Sequence, residues 1–427
     1  MRNGAHNKAL KDHNARRGNG TQAKDCAGDG KALQDQNCGH NAKALKNQKA
    51  AARLERYQKI LCPDFPQFLK KYLSLKILER LKGIGLLCGT DWTPLFHNRF
   101  YYSRYDHSLN CALIVWNWTR DKKMTLAALL HDVSTPAFSH VIDFKNGDAL
   151  TQESTEDKNS AMIRSDAELA AALAQDGLTA ADVDDYHKYS ICDNEVPQLS
   201  ADRLEYMFPS GAALEGWFSL RAVKRFYADL FVAKDERGRD EFSFKTKKIA
   251  LDYFRRILKI GYFLQRNKDK IAMELMARVV DKAIACGELR EDELWLLSER
   301  EIIGRWDVLL RKAEGEKENR SQDQDARRDF LRLYKTYRTM KKVRGSSAPL
   351  DGYFCVQLAV KRRWINPLVA APFSQEEVSD ASQKIGGQPS AVGSRRVCDV
   401  SPRAQKERDR FLAYNDTPYA CVRLAEL

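Results

Sequence analysis

Apolar residues recur at helical spacing along most of this chain, and that periodicity constrains it to a mostly α fold. Leu109, Ala112, Leu113 and Trp116 fall at i, i+3, i+4 and i+7. Leu54, Tyr57, Ile60 and Leu61 repeat the pattern earlier. A second helix is expected over Thr125–His131, ended by Pro136, which disfavours the α region at Thr135. A third begins near Phe138. The capping pairs Ser165/Glu168, Thr179/Asp182 and Ser298/Glu301 mark later helix starts, and Gly177 marks a stop. Strand signals are few. Leu230–Val232 and Glu241–Phe244 flank a turn at Gly238 and read as a hairpin, and Tyr353–Val360 adds a short strand. The expected class is a helical bundle with minor β additions.

Composition sets the boundaries. Phe, Trp and Tyr are absent before Tyr57, so residues 1–53 are expected to be a disordered, low-complexity segment. A folded domain is expected over 54–375, with a charged linker at 312–328 and a loose tail at 376–427. The net charge is +13, and residues 1–60 carry +8 of it. Such a segment can contact nucleic acid or acidic lipid without sequence specificity. No run of roughly 20 apolar residues is present to span a membrane. The first residues lack an apolar secretory core, which points to the cytoplasm. The ten cysteines are scattered without a CxxC pair, so reduced thiols are expected, Cys111 and Cys355 among them in apolar runs.

The chemistry concentrates in one stretch. Of eight histidines, His107, His131 and His140 fall within 34 residues, at the ends of three consecutive expected helices. Neutral imidazole is a good divalent-metal ligand. Leu129-Leu130 buries the helix whose end carries His131 and Asp132, and a buried Asp is costly unless paired or metal-bound. His107 and Asp202 could complete the set from neighbouring helices. Mixed imidazole and carboxylate donors suit Mn²⁺, Fe²⁺ or Zn²⁺, with Mg²⁺ or Ni²⁺ compatible. Spacing alone leaves His107 as a helix-start residue, and Asp202 as an N-cap, equally open.

Taken together, Arg104-x-x-His107-Ser108, Leu129-Leu130-His131-Asp132-(x)5-Phe138-Ser139-His140 and Asp202-Arg203-Leu204-Glu205-Tyr206 resemble the HD-domain metal-dependent phosphohydrolases. Within them the pattern looks most like the deoxynucleotide triphosphohydrolase-like branch. The resemblance covers roughly residues 90–370 and includes Lys361–Pro367, similar to that branch's basic segment. It implies an HD-type helical bundle with one divalent ion on His107, His131, Asp132 and Asp202. It also implies a phosphate-binding Arg104 and a His140 that orients the site from behind. Lys361 and Arg362 would neutralise phosphoryl charge, and Asp132 would bridge metal and attacking water. The substrate class is a nucleotide or another small phosphate ester or anhydride.

The sequence departs from that branch at two places. Ser134-Thr135 and Gln152 stand where the branch carries histidines, which leaves Glu153 or Glu156 for acid–base work. That departure also motivates a rival reading, a regulator that binds metal or nucleotide with little turnover. A third, nucleic-acid binding, rests on the basic N-terminus. A homo-oligomer is compatible with everything above.

Overall fold

Ser103 and Asp106 cap each other at the start of α1 (Arg104–Thr119). The Ser103 hydroxyl accepts from the Asp106 N–H at 3.1 Å, and the Asp106 carboxylate accepts from the Ser103 N–H at 3.3 Å. Arg104 and His107 therefore lie one turn apart on this helix. Asp121 opens α2 (Lys122–Leu130) by accepting from the Met124 N–H at 2.9 Å. The computed structural model describes residues 50–155, 157–315, 322–372 and 392–427. One compact unit spans Leu54–Leu427.

Two apolar clusters hold that unit. Around α1, α2, α3 (Ala201–Leu214) and α4 (Lys247–Leu264), Leu113, Leu130, Leu204, Phe208 and Tyr253 are buried together. Around α5 (Asn267–Ala285), α6 (Glu299–Gly315) and α7 (Gln322–Thr339), the buried set includes Met276, Val280, Trp306, Phe330 and Tyr334. Each large apolar side chain so buried contributes about 1.5–3 kcal/mol relative to exposure.

Seven strands form two sheets among the described residues. One orders β1 (Leu230–Lys234), β2 (Asp240–Phe244), β5 (Leu368–Pro372) and β6 (Val392–Arg396). The other orders β3 (Arg344–Ser346), β7 (Tyr419–Arg423) and β4 (Tyr353–Val356). The β1–β2 hairpin pairs Leu230 with Phe244 through Lys234 with Asp240. Gly238 takes a left-handed φ of 76° in its turn, a conformation that costs glycine nothing.

Several expectations are corrected. The stretch from 392 onward is not a loose tail. β6 pairs with β5, α8 (Pro402–Ala413) follows, and β7 joins β4 and β3. Its anchors to the rest of the unit are specific side-chain contacts. Arg396 is buried between Glu236 and Glu241, and the Phe411 ring lies within 2.8 Å of where a Cβ on Gly261 would stand. The ends of the expected charged linker are helical, in α6 and α7. Asp166, not Ser165, caps the helix Ala167–Gln175, and Thr179/Asp182 caps only a three-residue 3₁₀ turn. The strand expected to Val360 stops at Val356. Cys355 and Cys421 face each other across β4 and β7 and are disulfide-bonded, against the expectation of reduced thiols. Cys62, Cys88, Cys111, Cys192, Cys286 and Cys398 are free. No described helix is long and apolar enough to cross a membrane. The expectations for residues 1–49 and 373–391 lie outside the described residues.

Candidate metal centre and its cavity

α1, α2 and α3 bring His107, His131, Asp132 and Asp202 to one point. His107 Nε2 lies 3.0 Å from Asp202 Oδ1, 3.2 Å from His131 Nε2 and 3.7 Å from Asp132 Oδ2. His131 Nε2 is 3.6 Å from both Asp202 Oδ1 and Asp132 Oδ2. Donors bound at about 2.1 Å to one ion stand about 3.0–3.4 Å apart, so the 3.0 and 3.2 Å spacings fit a shared divalent ion and the 3.6–3.7 Å ones would have to close by a few tenths of an ångström around it.

The imidazoles are aimed from behind. His107 Nδ1 meets Glu205 Oε2 at 2.6 Å, and His131 Nδ1 meets the Ala128 carbonyl at 2.8 Å. Each contact puts the proton on Nδ1 and turns the Nε2 lone pair toward the cluster. Two bare imidazole nitrogens 3.2 Å apart repel, and a cation between them relieves that. Glu205 is fully buried and also accepts from the Tyr57 and Tyr102 hydroxyls at 3.0 and 2.6 Å. Cys111 packs beside His107, and burial pushes its thiol well up, so it stays neutral.

Asp132 is fixed from two sides. Arg104 Nη1 donates to its two oxygens at 3.2 and 3.0 Å, and Thr135 Oγ1 donates to Oδ1 at 2.8 Å. Burial raises the carboxyl, but the Arg104 guanidinium together with the His131 and His107 rings outweighs it and holds Asp132 well below the usual range. Behind it, Arg80 Nη2 donates to the Val133 and Thr135 carbonyls at 2.7 and 2.8 Å and clamps the turn after the His-Asp pair.

The next turn is strained. Phe138 and Ser139 adopt left-handed φ of 68° and 53°, costing about 1–3 kcal/mol each for non-glycine residues. Glu299 compensates. Its carboxylate accepts from the N–H groups of Gly85 and Phe138 and from Trp92 Nε1, at 3.0, 3.2 and 2.7 Å. Burial pushes Glu299 up to about 7. A raised carboxyl contributes stability fully below its unfolded value of 4.5, and that stability is lost as pH rises through 7. Glu299→Gln should remove up to about 1.4 kcal/mol per pH unit of that slope, measured as denaturant stability at pH 5, 6 and 7. Parallel curves for the two proteins would contradict this.

The cluster opens into a cavity of about 1050 Å³. His140 lines it, and its Nδ1 is held by Asp143 Oδ2 at 2.9 Å, with Ser154 donating to the other Asp143 oxygen at 2.6 Å. Burial pushes His140 down to about 4, with Asp143 opposing and Arg363 and Arg104 reinforcing the shift, so the ring is neutral near pH 7. The described contacts thus pair His140 with Asp143 and not with a ligand-type residue of the cluster. Lys361 lines the cavity and pairs with Glu153 at 3.0 Å. Arg362 does not line it. It turns away to donate to the Phe411 and Tyr414 carbonyls at 3.0–3.1 Å. Arg363 takes the place expected of Arg362 in the cavity, held by Gln152 Oε1 at 2.6 Å. Glu156 lies outside the described residues.

Sequence reasoning missed Glu205, Asp143, Arg80 and Arg363. Two of these left a signal. Glu205 stands one turn after Asp202 within an apolar run, and Asp143 follows His140 at i+3. In a second acidic group, Asp235, Glu236 and Glu241, each carboxylate is paired with Arg239 or Arg396, which offsets most of its charge.

No family model matches the chain. It is 23% identical over 252 residues to the uncharacterized protein YdhJ of Bacillus subtilis, covering 58% of this chain and 72% of that one. It is 24% identical over 253 residues to the metal-dependent phosphohydrolase cns2 of Cordyceps militaris, covering 58% and 70%. Among solved structures, a phosphohydrolase from Bacteroides thetaiotaomicron superposes with a TM-score of 0.52 at 13% identity, over 84% of this chain and 96% of that one. A hypothetical protein from Aquifex aeolicus gives 0.51 at 15%, over 84% and 93%. The chain thus shares the mostly helical fold of these two solved structures, and part of its sequence is similar to a metal-dependent phosphohydrolase.

Proposed function

We propose that this chain is an HD-type phosphohydrolase that cleaves a nucleotide or another small phosphate ester or anhydride with one divalent ion on His107, His131, Asp132 and Asp202. The observation that carries the reading is the convergence of those four side chains, at 3.0–3.7 Å, on the wall of the large cavity. When bound, the ion supplies Lewis acidity that acidifies water and polarises a phosphoryl oxygen. Mn²⁺, Fe²⁺ and Zn²⁺ suit the mixed donor set.

The remaining chemistry belongs to the chain. Arg104 spends Nη1 on Asp132 and Nε on Ser139, which leaves Nη2 for a phosphate oxygen. Lys361 and Arg363 add positive charge along the cavity. Asp143 holds the proton on His140 Nδ1, so Nε2 is the basic nitrogen. As water attacks phosphorus and the ester P–O bond breaks, His140 takes the water proton and returns it to the departing oxygen. This gives the imidazole role to His140. Ser134 and Thr135 are tied to the Thr155 carbonyl and Asp132, and Glu153 is tied to Lys361. The resemblance to the deoxynucleotide triphosphohydrolase-like branch extends this reading to triphosphates, and a phosphate-release screen that includes them decides it.

Arg362 and Arg363 provide an internal contrast. Arg363→Ala should lower kcat/KM about 10- to 100-fold, the value of one charged hydrogen-bonding group. Arg362→Ala should lower the melting temperature and leave kcat/KM per folded molecule alone. The test is steady-state phosphate release beside thermal melts, and the reverse assignment of effects would reject the cavity geometry.

A further inference from the structure

Asp269 stands in the first turn of α5 and lines the same cavity as the cluster. Among the described residues its carboxylate has no hydrogen-bond or ion-pair partner. It caps no N–H of its own helix, so the usual duty of an acid at a helix start does not occupy it. Met273, one turn further along α5, lines the cavity too and gives no polar compensation. A carboxylate left without a hydrogen-bond partner in a cavity wall is costly unless a ligand completes it.

The charges facing Asp269 narrow what that ligand can be. Arg363 and Lys268 are the cations within electrostatic reach. Arg363 is already held by Gln152, and Lys268 lies over the Phe96 ring. A cationic ligand group would be repelled by both. A neutral O–H donor fits. Burial pushes Asp269 up to about 7, which suits a group that exchanges hydrogen bonds with a hydroxyl. Cys88 links this region to the chemistry, because its thiol is within electrostatic reach of Arg104 as well as of Arg363 and Asp269.

We infer that Asp269 binds a hydroxyl of the substrate, so that the phosphate ester taken here is that of a hydroxylated group, a sugar or a nucleoside. This rests on the phosphohydrolase reading. Binding to the Mn²⁺-loaded full chain is measured by calorimetry for two pairs, ribose 5-phosphate against n-pentyl phosphate and AMP against 2′,3′-dideoxyadenosine monophosphate. Phosphate release is followed separately on the same samples. The hydroxylated member of at least one pair should bind about tenfold or more tightly, the worth of a hydrogen bond to a charged group. Asp269→Ala should erase that preference without weakening the partner that lacks hydroxyls. Asp269→Asn, which keeps the volume, should reduce it and serves if the alanine variant melts early. No preference in either pair, or one that survives in a folded variant, overturns the assignment. If the preference is present and lost in the variant but no ester releases phosphate, Asp269 stands and the hydrolase reading falls.

Discussion

Replacing His131 with alanine should lower metal-dependent phosphate release by about 10³-fold or more, because ion-assisted steps draw several kcal/mol from the metal and each 1.36 kcal/mol is tenfold in rate. The ring contributes one of the two imidazoles in the group of His107, Cys111, His131 and Asp202. Its Nδ1 bond to Ala128 is local to the helix end, and its contact with the Tyr186 ring, at 5.0 Å between centroids, is at the cavity wall. The metal-free variant should therefore keep its helical circular dichroism. What should vanish is the rise in melting temperature when Mn²⁺ is added, since only a native state that binds the ion gains from it. An undiminished rate, or the same Mn²⁺ stabilisation as the unaltered protein, would count against His131 as a ligand.

Glu205→Ala should be the most destabilising single change near the site. It strips the acceptor from the Tyr57 and Tyr102 hydroxyls and from His107 Nδ1, all buried. At about 1–3 kcal/mol for each of the three orphaned buried donors the loss comes to about 3–9 kcal/mol, a large share of the 5–15 kcal/mol typical of a folded domain. His107 would also lose its fixed tautomer, and metal affinity should fall about 10- to 100-fold. Glu205→Gln keeps an acceptor and the shape, so it should cost less stability but still weaken the ion. Denaturant titrations and Mn²⁺ titrations of both variants check this. Equal stability of the alanine variant and the parent would show that the three contacts carry little.

The contrast between legible and hidden residues has a physical basis. His131 and Asp132 stood out because Leu129-Leu130 and Pro136 mark a buried helix end, a local pattern. Hidden residues act through distant partners. Glu205 reaches Tyr57 and Tyr102, 148 and 103 positions away. Arg363 could not be told from Arg362 by composition, since which of two adjacent side chains enters a cavity depends on the backbone between them. The C-terminal strands and the Cys355–Cys421 pair likewise depend on partners far along the chain, such as β5 for β6. The local traces of α8 are Ser401 as its N-cap, Pro402 in its first turn and the seven-residue spacing of Ala404 and Phe411.

The most direct test is anomalous diffraction at the manganese edge from crystals grown with Mn²⁺. One strong peak per chain is expected, about 2.0–2.3 Å from His107 Nε2, His131 Nε2 and a carboxylate oxygen of each of Asp132 and Asp202. A map with no peak among those four side chains, or with the ion instead on Asp235, Glu236 and Glu241, would contradict it.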